Sequence, residues 1–163
     1  MKVFHGTTLI VDTPLVGVGR KNLDFGEGFY LTSIRQQAIE WAQRPINKEK
    51  PQYLNCYELD ICEISKNNYR YLKFGSYDDA WLDFVADNRM GVYSGPEYDL
   101  VFGPVANDDV YETLQLYVNG AISREYTMER LKIKELFNQL VFKTDRALAF
   151  LRFVRSEVAD GRG

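Results

Sequence analysis

The chain reads as an α+β domain, and three observations predict it. Short apolar runs bounded by Gly or Pro, such as MKVF, FYL and YDLVFGPV, have strand character. Between them lie stretches with apolar residues at helical spacing, such as IRQQAIEWAQR and YDDAWLDFVADNRM. The two kinds follow one another without strict strand–helix–strand alternation, which favours α+β over a doubly wound parallel sheet. No internal repeat or Pro/Gly-rich linker divides the chain, so residues 1–163 are read as one domain.

Taken in order, Met1–Phe4 form a short strand that ends at His5-Gly6. The segment VDTPLVGVGRKNLDFGEG is loop, punctuated by Pro14, Gly17, Gly19, Gly26 and Gly28. Phe29–Leu31 form a second strand. Thr32 or Ser33 would cap a helix whose residues Ile34, Ala38, Trp41 and Ala42 share one face. QYLNCYELDICEI alternates well enough for a strand or a hairpin arm, and YRYLKF is a further strand. YDDAWLDFVADNRM is a helix with Trp81, Phe84 and Val85 inward. YDLVFGPV is a buried strand, and NDDVYETLQLYVNG a helix with an Asn or Asp cap and Gly120 at its end. YTMERLKIKELF is helical and NQLVFKT is a strand. TDRALAFLRFV, with Thr144 as cap, runs from a helical turn into the last strand.

Composition narrows the function classes. The net charge of −3 argues against broad electrostatic nucleic-acid binding, which needs a basic footprint. Cys56 and Cys62 are too few for a disulfide framework and lack further ligands for a metal, so both are expected as reduced core thiols. No apolar run spans a membrane, and no basic segment followed by an apolar one suggests a signal peptide. A cytoplasmic location without membrane contact is the expectation.

Three stretches call for a joint explanation: FHGT around His5, the only histidine; DFGEGFYLT around Tyr30; and NQLVFKT around Gln139. Each sets one polar side chain at or beside a strand edge. A lone histidine is most simply a satisfied structural residue, Tyr30 an ordinary strand aromatic, and Gln139 a solvent-facing strand residue. Asp24 and Glu27 read as solvated loop charges, and Trp41 as core. Gly103, Pro104, Asn107 and Asp108 read as a turn into a capped helix.

In this order and spacing, HGTT, DFGEGFYLT, QQAIEW, VFGPVAND and NQLVFKT resemble the DUF3990 family, a bacterial family of the ADP-ribosyltransferase superfamily. The resemblance lies with the diphtheria-toxin and poly(ADP-ribose) polymerase branch, whose triad is His, Tyr and Glu, Asp or Gln. It implies a split β-sheet core with peripheral helices and a pocket for NAD⁺ as substrate, with no metal. His5 would hydrogen-bond the adenosine-side ribose. Gly6, with Thr7 beside it, would hold the nicotinamide amide through its backbone. Tyr30 and Trp41 would sandwich the nicotinamide ring, and Gln139 would meet the nicotinamide ribose. Arg89, or Arg20 and Lys21, would meet the pyrophosphate.

The chemistry suits these residue types. Nicotinamide leaves a cationic precursor as a neutral group, so no strong acid is needed, and the protein mainly positions the dinucleotide and stabilises charge on an oxocarbenium-like ribose. Gln139 is the departure from the family pattern of a carboxylate. It can accept a ribose hydrogen bond but supplies no negative charge, and losing one such contact costs about 3 kcal/mol. Glu135 and Asp145 lie nearby in sequence. The resemblance thus implies a mono-ADP-ribosyltransferase of toxin type, with a protein or nucleic-acid acceptor and an antitoxin partner. A silent NAD or ADP-ribose reader and an NAD⁺ glycohydrolase are the alternatives.

Overall fold

The computed structural model describes residues 1–132 and 138–159. Its seven described strands make two sheets. One is antiparallel, in the order β1-β3-β7, from β1 (Lys2–Thr7), β3 (Tyr53–Leu59) and β7 (Leu151–Val158). The other has the order β2-β6-β5-β4, from β2 (Phe29–Leu31), β6 (Asn138–Phe142), β5 (Leu100–Pro104) and β4 (Tyr71–Lys73). Its pairs are antiparallel except β4 with β5, which are parallel. Among the described residues, a single bridge, Phe4 with Thr32, joins the two sheets. This is an α+β fold with a mixed, split sheet core and helices outside it.

Side-chain alternation along the strands builds three apolar layers. Val3, Phe29, Leu31, Leu140 and Phe142 pack with Tyr57, Leu59 and Leu151 between the sheets. The opposite face of the second sheet, through Val101 and Val141, meets α3 (Asp79–Met90), α4 (Asp108–Val118) and α5 (Arg124–Lys132). The outer face of the first sheet meets α1 (Arg35–Ala42) through Ala38, Ile39, Ala42, Leu54 and Cys56. Two short helices, α2 (Ile61–Lys66) and α6 (Asp145–Leu148), complete the fold.

Among the described residues, the strand and helix assignments read from the sequence hold, with four differences. β1 continues through His5 and Gly6 to Thr7, because β3 supplies it with a partner at every position. QYLNCYELDICEI is not a hairpin arm: β3 stops at Leu59, and Asp60 accepts from the Glu63 N–H to cap α2. Cys62 therefore sits exposed on a helix, while Cys56 is buried. Neither Thr32 nor Ser33 is the cap residue of α1. Ile34 occupies that place, and the Thr32 hydroxyl accepts from its N–H at 3.1 Å. Thr144 starts α6 but makes no capping bond, since its hydroxyl donates to Asp99 at 2.7 Å. The last five residues of YTMERLKIKELF, Glu135 among them, lie outside the described residues.

Candidate functional site

The two sheets part beside His5, and the hydrogen bonds there show how. Phe4 and Thr32 exchange both backbone hydrogen bonds, at 2.8 and 3.0 Å. Peptide groups alternate in direction along a strand, so an unbroken antiparallel ladder would next pair Gly6 with Tyr30. The pairing stops short of that step. The Tyr30 carbonyl is instead taken by the side chain of His5, whose Nδ1 lies 2.7 Å away. A carbonyl can only accept, so Nδ1 carries the proton and Nε2 keeps its lone pair. The imidazole thus acts as a wedge in place of a backbone N–H. Gly6 is left with its N–H and C=O turned toward the edge where β2 has diverged.

The ring of His5 packs on Phe29, with centroids 4.7 Å apart. Burial holds its pKa below the ordinary imidazole value of about 6.5, against an opposing pull from the Tyr30 carbonyl. The unfolded chain then binds a proton that the folded one refuses, so stability is full above that value and falls as pH drops below it. With one histidine in the chain, this window belongs to His5. Urea unfolding of the wild type is expected to shift to lower midpoint between about pH 7.5 and about pH 5.5. His5→Asn should show a smaller shift, and an equal one would remove His5 as the cause.

Tyr30 faces the helical layer. Its hydroxyl accepts from the Phe25 N–H at 3.2 Å and donates to the Gly26 carbonyl at 2.5 Å. Burial foremost, with the Asp24 carboxylate adding to it, pushes the phenol pKa far up, so the hydroxyl stays protonated. The loop before β2 is pinned from the other side by Lys143 Nζ, which donates to the Phe25 carbonyl. The positive φ of Gly26, 73°, lets the chain turn there.

Gln139 faces the same layer, and it is 1% exposed rather than solvent-facing. Its Nε2 donates to Asp24 Oδ2 at 3.1 Å and points to the Pro104 carbonyl at 3.4 Å. Asp24 is likewise no solvated loop charge, being 5% exposed. Its Oδ1 takes two hydrogen bonds from Arg89, and its Oδ2 accepts from the Ala106 N–H at 2.9 Å. Arg89 also lies over the Tyr111 ring at 4.6 Å. It is therefore committed to Asp24 and not held out for a phosphate. Arg20 and Lys21 stand exposed in the long loop.

Trp41 stands apart from these residues. On α1 it is half-buried, with Gln37, not Trp41, on the packed face. It lines a groove of about 590 Å³ with Gln37 and Arg44, opposite Val105, Ala106 and Asn107. The groove and the polar cluster share a wall. Ala106 is held by Asp24, and Gln37 Nε2 donates to the Asn138 carbonyl at 2.9 Å while its Oε1 accepts from Thr32. Gly6 lies against the other side of α1, where a Cβ would overlap the Ala38 carbonyl oxygen. Thr7 is half-buried at the end of β1, paired with Tyr53.

The structure therefore gathers Tyr30 and Gln139 around Asp24, sets His5 and Gly6 at the sheet split, and joins both to the Trp41 groove through α1. Sequence reading missed Asp24, Gln37 and Asn138. Only the position of Asp24 inside the DFGEG stretch hinted that its charge was enclosed.

The arrangement follows the sequence blocks of one family, and its family model, described as a protein of unknown function (DUF3990), matches residues 1–153. The chain belongs to the DUF3990 family. Searches of curated proteins and of solved structures gave no match. In this DUF3990 domain no described helix is long and apolar enough to cross a membrane. Among the described residues there is no group of three or more His, Cys, Asp or Glu that could hold a metal ion.

Proposed function

We propose that this DUF3990 domain binds NAD⁺ and acts as a cytoplasmic mono-ADP-ribosyltransferase of toxin type, its acceptor a macromolecule and its activity held by an antitoxin. The observation that carries this reading is the sheet split. A side chain replaces a backbone donor there, leaving one peptide N–H and C=O at Gly6 and one imidazole acceptor, Nε2 of His5, beside the break. A primary carboxamide matches a peptide donor–acceptor pair, and a ribose hydroxyl matches an imidazole lone pair. The Trp41 groove is large enough for the remainder of a dinucleotide. Its indole offers a face to a cationic pyridinium ring.

In this reading His5 and Gly6 hold the dinucleotide by its two ends, and Gln139 accepts from the nicotinamide ribose. The reaction needs orientation more than proton transfer, because the leaving group departs neutral. The test is incubation with labelled NAD⁺, following free nicotinamide and label on protein or nucleic acid. His5→Ala is expected to slow nicotinamide release by on the order of a hundredfold, as a misplaced substrate would. Release at the wild-type rate in both His5→Ala and Tyr30→Ala would sink the assignment. Nicotinamide release with no transferred label would identify a glycohydrolase instead.

Gln139 favours a second reading, a domain that binds NAD⁺ or ADP-ribose without turning it over. It is neutral, enclosed, and hydrogen-bonded inward to Asp24. Calorimetry with NAD⁺ separates the two, since a reader gives binding heat and no nicotinamide.

A further inference from the structure

The Asp24–Gln139 contact constrains which side chain β6 can carry at position 139. Nε2 of Gln139 stands between two groups that can only accept, the Asp24 carboxylate and the Pro104 carbonyl. Turning the amide over would set Oε1 against both, so its orientation is determined. Oε1 is thereby directed away from them. Asp24 is itself held on every side: by Arg89 on α3 at one oxygen, and by the Ala106 N–H and Gln139 at the other. It cannot turn to relieve a bad contact at position 139.

We propose that Asp24 is a positioning residue for Gln139: it fixes the carboxamide with Oε1 as the ligand-facing acceptor, and its charge excludes glutamate from position 139. The acceptor half of this proposal rests on the NAD⁺ reading above; the exclusion half does not. A glutamate at 139 would place a second carboxylate about 3 Å from the first in an enclosed site, where two like charges cannot both persist. The negative charge of this site is therefore at Asp24, countered by Arg89, and not on β6. The simple exchange of Gln139 for Glu would not create a stronger enzyme.

Among the described residues, the charged and titratable groups around the pair are few. Arg89 reaches it from α3, and Tyr30 from β2 with a phenol that stays protonated. Tyr77, ahead of α3, donates to the Val105 carbonyl, and burial with the nearby Asp24 charge pushes its pKa up to about 12. Neither tyrosine changes charge in the working range from about pH 5 to about pH 8.

Thermal unfolding across that range tests the exclusion. Gln139→Glu forces its new carboxyl to stay protonated in the fold, raising its folded pKa. Its stability is then present at low pH and lost as pH rises, so its melting temperature should fall progressively below that of the wild type from about pH 5 to about pH 8. The double variant D24N/Q139E moves the carboxylate from 24 to 139 while keeping one amide and one charge. It should lose most of that pH-dependent gap, even if Q139E alone is too unstable to purify. A Q139E curve parallel to the wild type, or a double variant no better than Q139E, overturns the proposal.

Calorimetry with NAD⁺ tests the acceptor half. Asp24→Asn lets the carboxamide of Gln139 turn over, and should weaken binding by about tenfold or more. Unchanged affinity in Asp24→Asn overturns the positioning role. Wild-type protein that binds no NAD⁺ overturns the acceptor half and the functional reading together, while the melting series still decides the exclusion on its own.

Discussion

Arg89→Ala is expected to lower the free energy of unfolding by about 3–5 kcal/mol, the cost of leaving a buried charge without its counter-ion. The side chains of Arg89 and Asp24 are 13% and 6% exposed, so water cannot take over the lost contact. The guanidinium meets Asp24 Oδ1 through both Nε and Nη2, and a lysine could not reproduce that fork. The loss spreads beyond the pair. Asp24 also holds the Ala106 N–H and Gln139, so its displacement loosens the groove wall and β6 at once. The cation over Tyr111 would go too. Urea unfolding at neutral pH measures the effect, and Arg89→Lys should recover only part of it. A loss below about 1 kcal/mol, the range of solvated surface pairs, would show that the pair is wet.

Gly6→Ala is expected to be nearly as damaging, at about 3 kcal/mol or more. The added methyl would run into the carbonyl oxygen of Ala38 and crowd the Ala42 amide, which are helix backbone and cannot swing aside. Either β1 shifts in its ladder with β3, or α1 lifts from its seat on Ala38, Ile39 and Ala42. Both moves widen the split next to His5. Thermal unfolding should show the loss, and nicotinamide release should fall with it under the proposed function. An alanine variant as stable as the wild type would mean that α1 does not rest on β1 at this point. The glycine then has a steric role that stands whether or not a nicotinamide amide binds there.

Much of the architecture was legible in the chain. Trp81, Phe84 and Val85 are inward by their spacing, and all three are buried on α3. NQLVF alternates so that Leu140 and Phe142 enter the layer between the sheets while Val141 enters the helical one. Asn107 caps α4 through its carboxamide, as a short polar side chain before an apolar run should. These are local rules, and neighbours in sequence carry them. Cys62 shows where such rules fail. Alternation seemed to carry on from β3, but Asp60 offers a cap that ends the strand and starts a helix.

The site was legible as a set of residue types and not as a geometry. His5, Tyr30 and Gln139 were identified by their motifs. Their relations were not, because each relation spans a large sequence separation. His5 meets a carbonyl twenty-five positions away, and Asp24 meets Gln139 across 115. No periodicity encodes such a pair. Asp24 looked solvated because a lone acid in a glycine-rich loop usually is, and only the arrival of Arg89 and β6 encloses it.

By itself the sequence determined most of the strands and helices, the inward face of α3 and the family, since spacing and local propensity act within a few residues. The tertiary structure alone decided where the sheet splits, that a histidine side chain stands in for a backbone donor at that split, and that an aspartate on a loop sets the orientation of a glutamine on a strand. Hydrogen bonds in an enclosed site are settled by which groups the fold brings within about 3 Å, and that distance is a property of packing, not of order along the chain.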